Sequence, residues 1–417
     1  MIAFKNEWLL FRRSRLGLVM ILLLAALAIA SVVAGLVEVD RQRAAIERIH
    51  PLQKQDVSAI ANWVTKTGTA GDAAYFTFHE TWDPPSRLAF AALGMRDVSP
   101  YLLRVRALGL ESQLYDSENY NPELALPGRF DYAFVLVYLA PLFVIALFHD
   151  LISGEREAGR LRMLEATPGA GRRLWVRRIG LRYLLLVASL ALPLVAGGIV
   201  AGAHLQGIAA MVGLTAAYMA FWVLVAWLIG RLNIGSAASA ASMAAAWLLL
   251  TLVLPALAHV AITRAVPVNQ GVELSLAHRD AVHGAWDIPQ EKTMAEFFRY
   301  HPEWSDTPPT DGTFHWKWYL AFHHVADRSV APQAQSYRQG LLERDELTRW
   351  VGAVLPAVGV QAAFTRLAGT DIQAQLTYQD RIRAYHTRLR TFYYPYLFND
   401  RPFTEADFAK APVFAPG

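Results

Sequence analysis

Gly154-Glu155-Arg156-Glu157-Ala158-Gly159-Arg160-Leu161 has the glycine spacing of a phosphate-binding loop but lacks its chemistry. A G-x-x-x-x-G-K-[ST] loop needs a lysine to reach the phosphates and a hydroxyl to reach the metal. Arg160-Leu161 occupy those places, and an apolar run replaces the preceding strand. The segment is therefore not a nucleotide site. A docking helix suits the same residues better. On a helix Glu155 lies near Gly159 and Arg162, and Glu157 near Arg160 and Leu161. Leu161, Met163 and Leu164 add apolar contacts for which a fully solvated loop has no use. The alternative is a charged loop that only satisfies the positive-inside rule.

Histidines gather late in the chain, at positions His278, His283, His301, His315, His323, His324 and His386. Neutral imidazole is a common metal ligand, but H-E-x-x-H is absent and no spacing recurs with an acidic partner. They read as surface or hydrogen-bonded core residues, and no metal ligand is assigned. G-x-S-x-G is absent too, so no hydrolase nucleophile is placed. There is no cysteine to form a disulfide or supply a thiol. The chain is read as having no enzyme activity of its own.

The elements that position these residues are membrane spans. Hydrophobic content is 54% and charged content 18%, with the excess in discrete runs. Residues 16–37 carry no charge over 22 positions, enough to cross about 30 Å of hydrocarbon. Similar runs occupy 132–149, 183–203, 207–230 and 234–263. The first run is too long for a signal peptide and lacks a small-x-small cleavage site, so it is read as an uncleaved span. Asp131, His149 and His259 lie near boundaries, and ionisable groups at mid-span are nearly missing. Coupled carriers keep such groups there, so the energy for transport is expected from a partner.

Basic residues set the orientation. Residues 1–15, the segment 150–182 and Arg231 fall on one side of alternating spans with a charge of +8, which leaves −4 on the other side. The amino terminus is predicted to be cytoplasmic, and the regions 38–131 and 264–417 to be two mainly helical extracytoplasmic domains. The net charge of +4 reflects this topology and calls for no nucleic-acid partner.

Phe4, Trp8, Leu9, Leu10 and Phe11 alternate with basic groups in residues 1–15, which suits a helix lying in the membrane interface or the frayed start of the first span. The first span is predicted to continue outward as a helical stalk with no breaker until Pro51. Trp63, Tyr75, Phe76, Phe78 and Trp82 are predicted to form a small core. Asn119, Asn121-Pro122 and Pro127-Gly128 mark a turn-rich return to the membrane. Ser236, Ala240 and Ala244 recur every fourth position at the start of the fifth span and let helices approach closely, within one subunit or between two. Residues 351–364 are apolar but interrupted by Pro356, and are read as a helix of the domain core or one resting on the membrane.

In this order the features resemble the permease subunits of type-2 ABC exporters, in the branch with large outer domains. The resemblance rests on Glu155-Arg156-Glu157-Ala158-Gly159-Arg160-Leu161 directly after a span, followed by Leu164, Pro168 and Arg172-Arg173. It also rests on Leu88-Ala89-Phe90-Ala91-Ala92-Leu93-Gly94-Met95-Arg96-Asp97, Gly128-Arg129-Phe130-Asp131 and Leu367-Ala368-Gly369-Thr370-Asp371. It implies a multi-pass protein of the cell (inner) membrane, a dimer with a second, identical or different, permease subunit, and a separate cytoplasmic ABC ATPase that carries the ATP and magnesium. This chain would bind no cofactor. Glu155, Arg156, Glu157, Gly159, Arg160, Leu161 and Leu164 would belong to a coupling helix seated in the ATPase. The family usually has six spans and ends inside. This chain offers five and ends outside, so either a sixth span is missing at the carboxyl end or the protein departs from the pattern. The competing reading is a membrane-anchored outer domain that senses, scaffolds or carries out metal-dependent chemistry.

Overall fold

The computed structural model describes residues 2–115, 129–166, 170–268, 271–310 and 312–416. The turn predicted at Asn119, Asn121-Pro122 and Pro127-Gly128, and the break at Pro168-Gly169, lie outside the described residues. Regular structure is almost entirely helical, apart from one small antiparallel pair, β1 (His79–Trp82) and β2 (Leu102–Val105), with His79 opposite Val105. Among the described residues five helices are long and apolar enough to cross a membrane: Arg15–Val64, Tyr132–Glu157, Arg173–Val200, Leu205–Gly230 and Ser236–Ala265. The chain is thus an all-α, polytopic membrane protein.

The amino-terminal segment is a helix of its own, α1 (Ile2–Arg13), and not the frayed start of the first span. Ser14 separates the two by accepting a hydrogen bond from Gly17 N at 3.2 Å, which caps α2 (Arg15–Thr67). Helix α2 continues through Pro51 well beyond the bilayer-length part. Its far end is held from the side, where Gln53 donates to the Phe78 carbonyl and His50 Nδ1 lies 2.8 Å from Glu80.

Two spans contain a π-helical turn, Val135–Leu139 before α3 (Ala140–Phe148) and Leu249–Val253 inside the fifth. Each turn runs directly into a proline, Pro141 or Pro255. A proline cannot donate and crowds the carbonyl four residues back, so the ladder widens there. Side chains from neighbouring spans take up the altered backbone: Tyr218 donates to Val137 O at 3.0 Å and Trp247 to Tyr138 O at 3.2 Å.

After a turn at 149–152 come two short helices, α4 (Ser153–Glu157) and α5 (Leu161–Ala166). Helix α6 (Ala170–Val200) takes in Arg173, Arg177, Arg178 and Arg182, so much of the expected basic loop is helix. Helix α7 (Leu205–Gly230) returns, and α8 (Ser236–Leu248) with α9 (Leu254–Ala265) forms the fifth span on either side of its π-turn.

A second core lies beyond the bundle. It draws on both predicted outer segments, with Val64, Ala73, Val105 and Leu114 packing alongside Phe297, Phe322, Tyr385 and Phe398. The two domains expected from the sequence share this one core. Of the aromatic residues predicted to form a small core, Tyr75 and Trp82 pack against this shared core, whereas Trp63, Phe76 and Phe78 are exposed, and Ala70, Ala73 and Ala74 are buried there. The second segment supplies α10 (Gly271–Gly284), α11 (Gln290–Tyr300), α12 (Trp316–Val354), α13 (Pro356–Ala368) and α14 (Ile372–Phe398). The apolar stretch at 351–364 breaks at Pro356, and α13 packs neither in the second core nor flat on a surface. Phe364 and Ala368 are buried with Tyr132, Leu136 and Phe90 in the core of the spans, and α13 contacts both π-turns.

Candidate functional site

The charged end of the bundle brings together α1, the two short helices after the second span, the start of α6 and the 231–235 connection. Glu155, Arg156 and Glu157 sit on one helical turn and each takes a different partner. Arg156 donates to the carbonyls of Gly230, Leu232 and Ile234 at 3.3, 2.7 and 3.1 Å. These follow the end of α7, where a helix leaves carbonyls unsatisfied and carries partial negative charge. Glu157 accepts from Ser236 N and Ser236 Oγ at 2.7 and 2.9 Å. There it meets the first N–H groups of α8, the partially positive end. A cation and an anion at adjacent positions, Arg156 and Glu157, thus cap the two helices of one hairpin.

Glu155 points the other way. It pairs with Arg160 at 2.7 Å and with Arg178 of α6 at 2.9 Å, and Arg178 also reaches Glu7 of α1 at 3.3 Å. Three helices, α1, α4 and α6, are therefore joined at one staple. Nearby, Ser153 Oγ lies 3.0 Å from Ser236 Oγ and donates to His149 O.

The predicted docking helix is two helices. Gly159 has φ +71°, a left-handed conformation that ends α4, and Arg160 N donates back to Glu155 O. The break turns the second helix so that Leu161 and Leu164 are half-buried while Arg162 and Met163 are exposed, Met163 at 68%. The i, i+4 neighbours expected for one helix are replaced by the Glu155–Arg160 pair across the turn. Pro168 and the side chain of Arg172 lie outside the described residues.

In the small-residue stripe, Ser236 is taken up by Glu157, Ala240 is half-buried and Ala244 is exposed. The face of α8 that packs inside the chain carries Ser239 and Met243. Sequence reasoning missed Glu7 and Arg178, which sit far from Glu155 in sequence and read as ordinary interfacial charges.

At the opposite end, the other segments that carry the resemblance converge. Asp131 caps the second span by accepting from Phe134 N at 2.8 Å, and its other oxygen accepts from Leu93 N at 2.9 Å. Arg129 pairs with Asp97 and with Glu38. Thr370 Oγ1 donates to Ala92 O at 2.8 Å, and Met95 N donates to Thr370 O at 2.8 Å. Gly35 is needed here, because a Cβ on it would lie 2.0 Å from Phe90 O. This collar joins the spans to the second core.

The histidines separate by burial. His278, His323 and His386 are buried, while His283 is exposed and His315 caps α12. His278 Nε2 lies 2.9 Å from Asp327 Oδ1, and Asp327 also accepts from Leu110 N at 2.7 Å and from Arg390 at 2.5 Å. His386 Nε2 donates to Leu108 O at 2.7 Å. Burial, then the Arg390 charge, pushes His323 and His386 down to about 3, and Asp327 is held well below the usual carboxylate range against its own burial by Arg390 and His278. Among the described residues no group of three His, Cys, Asp or Glu side chains is placed to hold a metal ion.

A family described as a domain of unknown function, DUF3526, matches residues 272–416. The match covers α10 to α14 with the buried Asp327 cluster and does not reach the staple. No curated protein and no solved structure matches the chain.

Proposed function

We propose that the chain is the permease subunit of an ATP-driven exporter of the ABC type, with a separate cytoplasmic ATPase that binds ATP and magnesium. The staple carries this reading. A segment held by Glu155, Arg156 and Glu157 to the ends of α6, α7 and α8 moves those ends whenever a partner moves it. Arg162 and Met163, on the outer face of α5, are the surface offered to that partner. The staple end is cytoplasmic and the second core extracytoplasmic, in the inner membrane. Helix α13, wedged against two π-turns from the far side, is the element that a shift of the spans would displace. A second permease subunit completes the pathway, and the chain itself performs no catalysis.

The test is purification of the full chain from native membranes in mild detergent, with co-eluting proteins identified and ATP hydrolysis assayed. A stoichiometric ATPase is expected, lost from Arg162→Glu/Met163→Glu while membrane insertion is unchanged. The absence of any ATPase partner, or retention of one by this double variant, would remove the assignment.

A further inference from the structure

Beside the staple lies a groove of about 920 Å3 between the start of α6 and the end of α7. Two of its lining residues are cationic, Arg156 and Arg231, and none is acidic. Among the described residues no carboxylate pairs with either arginine. The acids that flank Arg156 are turned away, Glu155 to Arg160 and Arg178 and Glu157 to Ser236. The remaining wall is apolar or aromatic, including Trp175, Val176, Leu224 and Trp227. Arg231 lies with its guanidinium carbon 5.0 Å from the Trp227 ring centre, which fixes the cation at the rim. The groove therefore passes from cation to hydrocarbon along two helices that are themselves apolar enough to cross a membrane.

We infer that this groove binds an anionic phospholipid, with its phosphate at Arg231 and Arg156 and an acyl chain along Ile179, Tyr183 and Leu224. The charge is complementary, and the order of chemistry along the groove matches a lipid lying at the bilayer boundary. Basic pockets between membrane helices take such headgroups, and tryptophans favour that depth. Because Arg156 also holds the carbonyls after α7, a bound headgroup sits against the staple. This inference needs a membrane but does not depend on an ATPase partner.

The experiment is native mass spectrometry of the full chain in detergent, with phosphatidylglycerol or phosphatidylcholine of equal chain length added. Phosphatidylglycerol is expected to be retained about tenfold more strongly. Arg231→Gln should remove that preference and Arg231→Lys should keep most of it. Gly180→Leu supplies a second test, since Gly180 lines the groove and a Cβ there meets nothing within 4 Å. It should block retention while leaving both arginines in place. Equal retention of the two lipids, or unchanged retention in both Arg231→Gln and Gly180→Leu, overturns the inference. Displacement by inorganic phosphate alone would make this a free-anion site and overturns it too.

Discussion

The staple and the Asp327 cluster use the same kinds of residue for opposite ends. Both consist of arginines and carboxylates that also hold backbone groups. In the staple the side chains of Glu155 and Arg178 keep 17% and 18% of their exposure, and the groups they join belong to separate helix ends. In the cluster the side chains of Arg390 and Asp327 keep 8% and 15% of theirs, and the difference is one of setting, because they sit among three buried histidines inside one core. A pair between helix ends stays exchangeable, whereas one ringed by buried side chains in a core is costly to break.

The sharpest way to break this contrast is to remove one partner from the buried pair. Arg390→Met leaves Asp327 with its amide and histidine contacts but no compensating cation. We expect it to destabilise the second core by about 3–5 kcal/mol, read as loss of near-ultraviolet circular dichroism at lower denaturant. A change below about 1 kcal/mol, the range of exposed pairs, would erase the distinction between the two sites.

Acid should act on the cluster in a predictable direction. His323 and His386 stay neutral in the fold down to about 3, against 6.5 for an unperturbed histidine. Below 6.5 the unfolded chain takes up protons that the folded chain refuses, so stability falls as pH falls from about 6.5 towards 3. The slope is about 1.4 kcal/mol per pH unit for each histidine. The depressed Asp327 acts in the same direction at the acid end. Denaturant melts of the full chain at pH 7, 6 and 5 measure this, and His323→Phe should make the slope shallower. A flat profile would mean that the histidines are charged or solvated in the folded protein.

How much of this was legible in the sequence follows from what each feature depends on. The five spans depend on apolar length alone, and all five appear. The break inside the docking segment was legible in principle, since Gly159 favours a left-handed turn, but i, i+4 reasoning treated the segment as one helix. The core shared by residues of 38–131 and 264–417 was not legible, because local aromatic content does not reveal distant pairing. Thr81, for example, bonds Tyr378 across 297 residues. The partners of Asp327 come from the 108–111 loop, α10 and α14, and no spacing announces such a meeting.

The smallest expected effect lies at the staple, and there stability is the wrong readout. Arg178→Gln takes this cation from the nearly buried Glu7 and leaves Glu155 with Arg160 alone, so global unfolding should shift by about 1 kcal/mol, less than for Arg390. Amide exchange in α1 and α4 should instead accelerate, since both helices lose the charge that holds them to α6. The same acceleration should appear in the unaltered chain on raising salt from 0.1 to 1 M, where screening shortens from roughly 10 to 3 Å. The Asp327 cluster, shielded from ions, should keep its exchange rates at both salt concentrations. Equal salt sensitivity at the two sites would mean that burial does not separate them, and the staple would lose its standing as the exchangeable joint.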